Sequence, residues 1–220
     1  MTTFLGLDNR LLLPPFFPVQ RNSDGIFGLT LSKCVDSSRV AFLPWILLHA
    51  PEPPRAFAPD EMWADAANVR MADIVIASIM DHQHLTGEAT AAARSADLGE
   101  HLRWLGSLDY AEFEARLRTQ QQIRNFTFLM ALHAQLHTHG ASPSYWAEDV
   151  SRMIELITRA SSADDHLVPR DLRQGRDAGE ARLLSQELVA KYGELLDAWP
   201  AMVAAAKRIR DNGCRLAEAL

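Results

Sequence analysis

Two polar clusters within residues 13–55 hold the side chains that could do chemistry in this chain. The first contains Arg21 and Asp24, and the second is His49, followed by Arg55 in a proline-rich stretch. A carboxylate fixed at the start of a helix is well placed to act as general base for a hydroxyl nucleophile. An imidazole can serve in a Mn²⁺ or Mg²⁺ site when carboxylates from elsewhere complete the coordination. The functional interpretation of the two clusters is therefore that Asp24 acts as a general base and His49 as a metal ligand.

Each cluster also has a purely structural interpretation. Asn22, Ser23 and Asp24 are all good N-cap residues, whose side chains satisfy the free backbone N–H groups of a first helical turn. A single histidine at the end of an apolar strand, such as His49, is more often hydrogen-bonded within the fold than bound to a ligand. Pattern alone favours these structural interpretations.

Taken together, the clusters resemble a known family. An Arg-x-x-Asp-x-x-Phe-Gly segment from Arg21 at a helix start, then a strand ending in His49, then Arg55, resembles the acceptor-side end of nucleotide-sugar glycosyltransferases with the GT-A fold. The resemblance implies that Asp24 deprotonates a hydroxyl acceptor and that His49 completes the metal site. It also implies that Arg21, Asn22 and Arg55 bind substrate, with Arg55 near the donor diphosphate.

The chain departs from that family in the half that binds the donor. Ser23 stands where an acidic residue often precedes the catalytic aspartate. No Asp-x-Asp motif occurs ahead of residue 24, where Asp8 is the only acid. A metal–diphosphate clamp cannot be assembled from Asp24 and His49 alone.

We therefore expect a fragment, or a split or degenerate subunit, of a glycosyltransferase. A partner protein or further segment would supply the donor site, and only then would Mn²⁺ or Mg²⁺ and the nucleotide sugar bind. Whether the chain is an enzyme stays open at this point. The alternative is a non-enzymatic all-α interaction protein, in which residues 1–58 form a packed cap.

Bulk properties narrow the class of protein. With 48% hydrophobic and 23% charged residues, the 220-residue chain fits a globular protein and neither a disordered nor a disulfide-dense one. Its net charge of −6 argues against non-specific nucleic-acid binding, which needs a basic surface. Two widely separated cysteines, Cys34 and Cys214, and no secretory signal predict a cytoplasmic protein. The apolar run at 40–48 is too short to span a membrane.

Composition changes near residue 59 and divides the chain. Eight of the 11 prolines lie at or before Pro59. Residues 1–58 hold five Lys/Arg and four Asp/Glu, whereas residues 59–220 hold 17 and 24. We predict a mainly α protein, with a helical domain over 59–220 preceded by a small α+β, loop-rich segment over 1–58.

The elements that would position the clusters follow from local signals. A short extended stretch is expected at 2–7, a buried strand or extended segment at 40–48, and a short helix at about 25–33. Further on, one helix is predicted from Pro59 to about Met80, and a long one capped by Asp109 and ending at His139. The polar stretch 161–179 is predicted to be a mobile loop.

Three apolar stripes are expected on the later helices. On one helix Trp146, Val150, Met153 and Ile157 recur at helical spacing and should face the core. A second stripe consists of Leu184, Leu188, Tyr192 and Leu195. A third, on a last helix that Pro200 opens, consists of Met202, Ala206 and Ile209.

Overall fold

The computed structural model describes residues 7–8, 10–19, 22–35, 67–83, 89–139, 143–163 and 165–213. Helix accounts for 77% of them and they contain no strand, which confirms the mainly α prediction. Apart from Leu7, the extended segments predicted at 2–7 and 40–48 lie outside the described residues. The six α-helices are α1 Ser23–Cys34, α2 Met71–Asp81, α3 Ala91–Ser107, α4 Tyr110–His139, α5 Ser144–Ser161 and α6 Ala178–Asp211, and a 3-10 helix covers Arg170–Leu172.

The chain forms two compact units, each made of separate sequence segments. Unit 1 comprises residues 1–47, 82–108 and 187–220, and unit 2 comprises residues 48–81 and 109–186. Unit 1 thus contains α1, α3 and the second part of α6, while unit 2 contains α2, α4, α5 and the first part of α6. The predicted domain boundary near residue 59 stays a prediction.

Unit 1 is held together by contacts between its N-terminal loop, α1 and α6. Helix α1 buries Ile26, Phe27, Thr30 and Cys34. The Thr30 hydroxyl lies 3.1 Å from the Tyr192 hydroxyl, which also donates to the Pro15 carbonyl at 3.2 Å. Buried hydroxyls need such partners, because an unsatisfied one costs about 1–3 kcal/mol.

Helices α3 and α6 cross in unit 1 with their backbones in close contact. A Cβ atom added to Gly193 would lie 2.6 Å from the Gly99 carbonyl oxygen, and one added to Gly106 would lie 2.5 Å from the Ala190 Cβ. The residue numbers run in opposite directions along the two helices, so they cross antiparallel. Only glycine allows this approach, because any side chain at these positions would push the helices apart.

Pro200 lies inside α6 and does not open a helix, so that part of the sequence prediction is wrong. Proline has no N–H, which leaves the carbonyl of Leu196 without its intrahelical donor. The buried Ser95 hydroxyl of α3 donates to that carbonyl at 3.0 Å. A side chain from another helix thus replaces the bond that the proline removes, and the helix continues.

Helix α2 of unit 2 begins only at Met71, so the continuous helix predicted from Pro59 to Met80 is wrong at 68–70. The Asp73 carboxylate accepts from the Arg70 backbone N–H, at 2.9 Å. The carbonyl of Val69 instead accepts from the Arg170 N–H, also at 2.9 Å. These bonds start a new helix and tie it to the chain near the 3-10 helix.

Most of the described part of 161–179 lies outside the α-helices, as predicted for a loop, and part of it is packed. The predicted mobility stays a prediction. Leu167, Val168 and Leu172 are buried. The Asp171 carboxylate accepts from the Met71 N–H at 2.9 Å, so it caps the start of α2. The three buried apolar side chains and the short turns between them hold this segment in place, although most of its residues are polar.

Helices α4 and α5 form an antiparallel hairpin in unit 2. As predicted, the Asp109 carboxylate caps α4 by accepting from the Glu112 N–H at 3.1 Å, and α4 ends at His139. The Asn125 amide donates to the Ser161 hydroxyl at 2.7 Å. On α4 half-buried positions recur at helical spacing and are Asn125, Leu129, Leu132 and Leu136.

The predicted core stripes are only partly confirmed. On α5, Val150 and Ile157 are buried, but Trp146 and Met153 are half-buried. The buried positions on α6 are Ala181, Ser185, Gln186, Val189, Tyr192, Gly193 and Leu196, so of the second predicted stripe only Tyr192 is fully buried. Met202 and Ile209 of α6 are exposed.

Candidate functional site

The first polar cluster forms an unusual helix start in unit 1. Asn22 is the N-cap of α1 and has left-handed backbone angles, φ 70° and ψ 27°. Its carbonyl accepts from the Ile26 N–H at 3.2 Å, while its side chain makes no capping bond. A Cβ atom on Gly25 would lie 2.5 Å from the Asn22 side-chain oxygen, so the asparagine side chain lies against the glycine backbone. Asparagine tolerates left-handed angles better than most residues.

Asp24 therefore lies in the first turn of α1, as the sequence predicted, and it is half-buried. Asn22 is exposed. The other predicted site residues, Arg21, His49 and Arg55, lie outside the described residues. The joint action of Asp24 and His49 that the resemblance implies thus stays a prediction.

The loop that leads into this helix is fixed in place. The Phe16 ring stacks on Phe27 with centroids 4.3 Å apart, and the Phe17 ring meets Tyr192 edge-on at 5.2 Å. The Trp199 indole N–H donates to the Leu13 carbonyl at 2.7 Å. An aromatic pair contributes about 0.5–1.5 kcal/mol beyond its burial. The proline-rich loop and the start of α1 are thereby joined to unit 1.

A further polar cluster of unit 1, around His82, was not among the candidates from the sequence. The His82 Nε2 lies 2.7 Å from an Asp97 carboxylate oxygen, and its ring lies 5.1 Å from that of His101. The Lys33 ammonium donates to the His82 carbonyl at 2.9 Å. Burial lowers the pKa of Lys33. Across the described part of the chain, no group of three or more acidic, His or Cys side chains could hold a metal ion.

A groove of about 630 Å³ lies in unit 2. Its polar side includes Asp73 and Arg124, whose carboxylate and guanidinium groups are 2.7 Å apart. His166 also lines the groove, and burial, helped by the positive charge of Arg118, lowers its pKa. Its apolar lining includes Phe128 and Ile157.

The second half of α4 in unit 2 exposes several large apolar side chains. Phe126 is 66% exposed, and Ile123 and Met130 are each 53% exposed. From 125 to 139 the helix carries no Lys, Arg, Asp or Glu. A helix surface in water is normally charged or polar, so a run of exposed apolar residues marks an interaction site.

These exposed residues follow a heptad pattern. Ile123, Phe126, Met130, His133 and His137 are separated by three, four, three and four residues, and all five are exposed. We call them the α4 stripe. Such spacing forms one seam along a helix, of the kind that packs against another helix. The half-buried leucines of α4 have similar spacing, one position earlier. All members of the α4 stripe are exposed, and Ile123 also lines the groove of unit 2.

Comparison with known protein families, characterised proteins and solved structures gives no match. None of the described helices is long and apolar enough to cross a membrane.

Proposed function

We propose that this chain is an α-helical interaction protein that binds a partner helix through its α4–α5 hairpin. The observation that carries the proposal is the α4 stripe, whose three apolar members are all more than half exposed. Burying an exposed Phe, Ile or Met side chain contributes about 1.5–3 kcal/mol. Three such side chains in a line offer substantial binding energy to a matching surface.

The chemistry of the stripe indicates what kind of partner it fits. Because residues 125–139 contain no formal charge outside the histidines, recognition there rests on shape and apolar burial. Charged residues flank the stripe on the other helix of the hairpin, where Glu148, Asp149 and Glu155 are exposed. An apolar centre with a charged rim is the usual anatomy of a protein interface.

The experiment is site-specific photo-crosslinking in living cells. A benzophenone amino acid replaces Phe126 in one variant and Leu183 in a matched control. Leu183 is equally apolar, 63% exposed and outside the hairpin. We expect a discrete cross-linked protein from position 126 and none from position 183. Equal labelling from both positions, or none from position 126, would remove the proposal.

A second candidate function is the glycosyltransferase-related role, with Asp24 as the base. It is favoured by one observation, the left-handed Asn22 packed against Gly25, which fixes Asp24 in a first helical turn. Residues in strained backbone conformations are concentrated at functional sites. This candidate still requires the donor site, the metal and the residues Arg21, His49 and Arg55 to act with Asp24.

Its test is reconstitution with a segment or subunit that supplies a donor site. Transfer from a nucleotide sugar to a hydroxyl acceptor should then depend on Mn²⁺ or Mg²⁺. Asp24→Asn should abolish that transfer while the helical circular dichroism spectrum stays unchanged. Full activity of the Asp24→Asn chain would exclude Asp24 as the base.

A further inference from the structure

We propose that His133 and His137 form a chelating site on α4 for a divalent transition metal ion of the class of Zn²⁺, Ni²⁺ and Cu²⁺. Both histidines belong to the α4 stripe and are exposed. The site lies in one helix and within unit 2. It is independent of the proposed function, and it differs from the metal site that the glycosyltransferase resemblance implies at His49.

The spacing of the two histidines suits a single metal ion. Residues four apart on an α-helix are neighbours on its surface, with Cβ atoms about 5–6 Å apart. His133 and His137 have this separation, and α4 is helical from Tyr110 to His139. Because a Zn–N bond is about 2.0–2.1 Å long, two imidazoles so placed can reach one ion from the same side. The same separation supplies two zinc ligands on one helix in zinc proteases.

Both imidazoles are available to a ligand. Within the part of the chain that the structure describes, neither His133 nor His137 takes part in a hydrogen bond, an ion pair or a ring contact. The histidine cluster of unit 1 differs in this respect, since His82 is bonded to Asp97 and lies beside His101. A metal ion at the α4 pair would therefore displace only water.

The electrostatic surroundings of the pair favour a cation. The part of α4 after Asn125 contains no lysine or arginine. His137 lies in the last turn of α4, where the helix dipole attracts positive charge.

Helix α5 adds negative charge at the same level. The two helices are antiparallel, and the bond between Asn125 and Ser161 sets their register. Because both helices rise equally per residue, position 137 lies level with about position 149. Between residues 148 and 155, α5 exposes three acidic side chains and one basic one, namely Glu148, Asp149, Glu155 and Arg152.

The ligand set limits both the affinity and the choice of metal. In the described residues no third acidic, His or Cys side chain joins the pair, so water must complete the coordination. We therefore expect reversible binding, weaker than at a structural zinc site with four protein ligands. Imidazole suits Zn²⁺, Ni²⁺ and Cu²⁺, with Cu²⁺ held most tightly, whereas Mg²⁺ prefers oxygen ligands.

The test is calorimetric titration of the purified full chain with Zn²⁺, with Mg²⁺ as the negative control. His133→Ala and His137→Ala should each raise the dissociation constant for Zn²⁺ on the order of 10-fold or more, because a single imidazole no longer chelates. His139→Ala removes a nearby histidine but keeps the four-residue spacing, so it should bind like the wild type. Wild-type affinity in His133→Ala or His137→Ala would overturn the inference.

A variant that moves one histidine tests the spacing itself. Exchanging the residues at 134 and 137, by Ala134→His with His137→Ala, keeps the composition of the chain. Adjacent positions on a helix do not face each other, so the exchanged chain should lose as much affinity as His137→Ala. Ala134 is exposed, and the circular dichroism spectrum should therefore stay helical. Retained Zn²⁺ affinity in the exchanged chain would show that binding does not depend on helical chelation and would overturn the inference.

Discussion

The α3–α6 crossing and the α4–α5 hairpin differ in how closely their helices pack. At the crossing, glycines bring two backbones together and leave no room for a side chain. In the hairpin, the Asn125 amide of one helix donates to the Ser161 hydroxyl of the other, while phenylalanine and methionine on the first helix stay exposed. The contact between α3 and α6 is complete within one chain. The hairpin leaves an apolar row of side chains uncovered, and we therefore look for function there.

The most damaging change should be at the crossing. Gly193→Leu would place atoms within 2.6 Å of the Gly99 carbonyl and 2.8 Å of the Arg103 nitrogen. Since backbone cannot yield as a side chain can, we expect a loss of about 3 kcal/mol or more in the free energy of unfolding. Chemical denaturation measures it. Gly28→Ala is the matched control, because open space surrounds that helical glycine and alanine there should stabilise by about 0.5–1 kcal/mol.

Alkaline unfolding should depend on Tyr192 in the same unit. Burial raises its pKa to about 12, from the ordinary 10. The folded state therefore favours the neutral phenol, and this stabilisation is complete below pH 10 and lost as pH rises towards 12. We expect on the order of 2 kcal/mol from this source. Tyr192→Phe should flatten the fall in stability between pH 10 and 12, and an unchanged slope would show that Tyr192 does not cause it.

Ser95→Ala tests how α6 tolerates Pro200. Removing the hydroxyl leaves the buried Leu196 carbonyl without its donor, so we expect a loss of about 1–3 kcal/mol. In a Pro200→Ala background the alanine N–H can serve that carbonyl, and the same serine change should cost clearly less. A double-mutant cycle on thermal or chemical unfolding measures the difference. Additive effects would show that the serine does not compensate for the proline.

The smallest effect is expected in the hairpin. Because Trp146 is half-buried, Trp146→Ala should cost about 1–2 kcal/mol, less than the 3–5 kcal/mol typical of a fully buried aromatic. Phe113→Ala, at a fully buried residue of α4, provides that reference. Equal losses would mean that Trp146 is packed as completely as Phe113.

Local chemistry allowed parts of the fold to be predicted. The Asp109 cap and the start of α1 near Asp24 were predictable, because capping needs only neighbours in sequence. The uninterrupted α6 was not, since Pro200 is compensated by Ser95, more than 100 residues earlier. The break before α2 depends likewise on Arg170 and Asp171, which are distant in sequence.

The positions predicted for the apolar stripes differ from the buried positions for a related reason. Large apolar residues were assumed to mark the buried side of α6, but Ala181 and Ser185 are buried there. Similarly, α4 has two sets of positions at similar spacing, and nothing in the sequence says which set is half-buried and which is exposed. Of the candidate site, the sequence correctly placed Asp24 at a helix start. Its relation to His49 depends on residues beyond those described.

The reactivity of Cys34 can be used to follow the opening of α1 in unit 1. Its thiol is buried on α1, and burial raises its pKa to about 11. Thiolate is the reactive form of cysteine. At neutral pH an alkylating reagent therefore reacts with Cys34 only after the helix opens. In a Cys214→Ser chain, the rate of alkylation would then report the lifetime of the closed state, under native conditions and without denaturant.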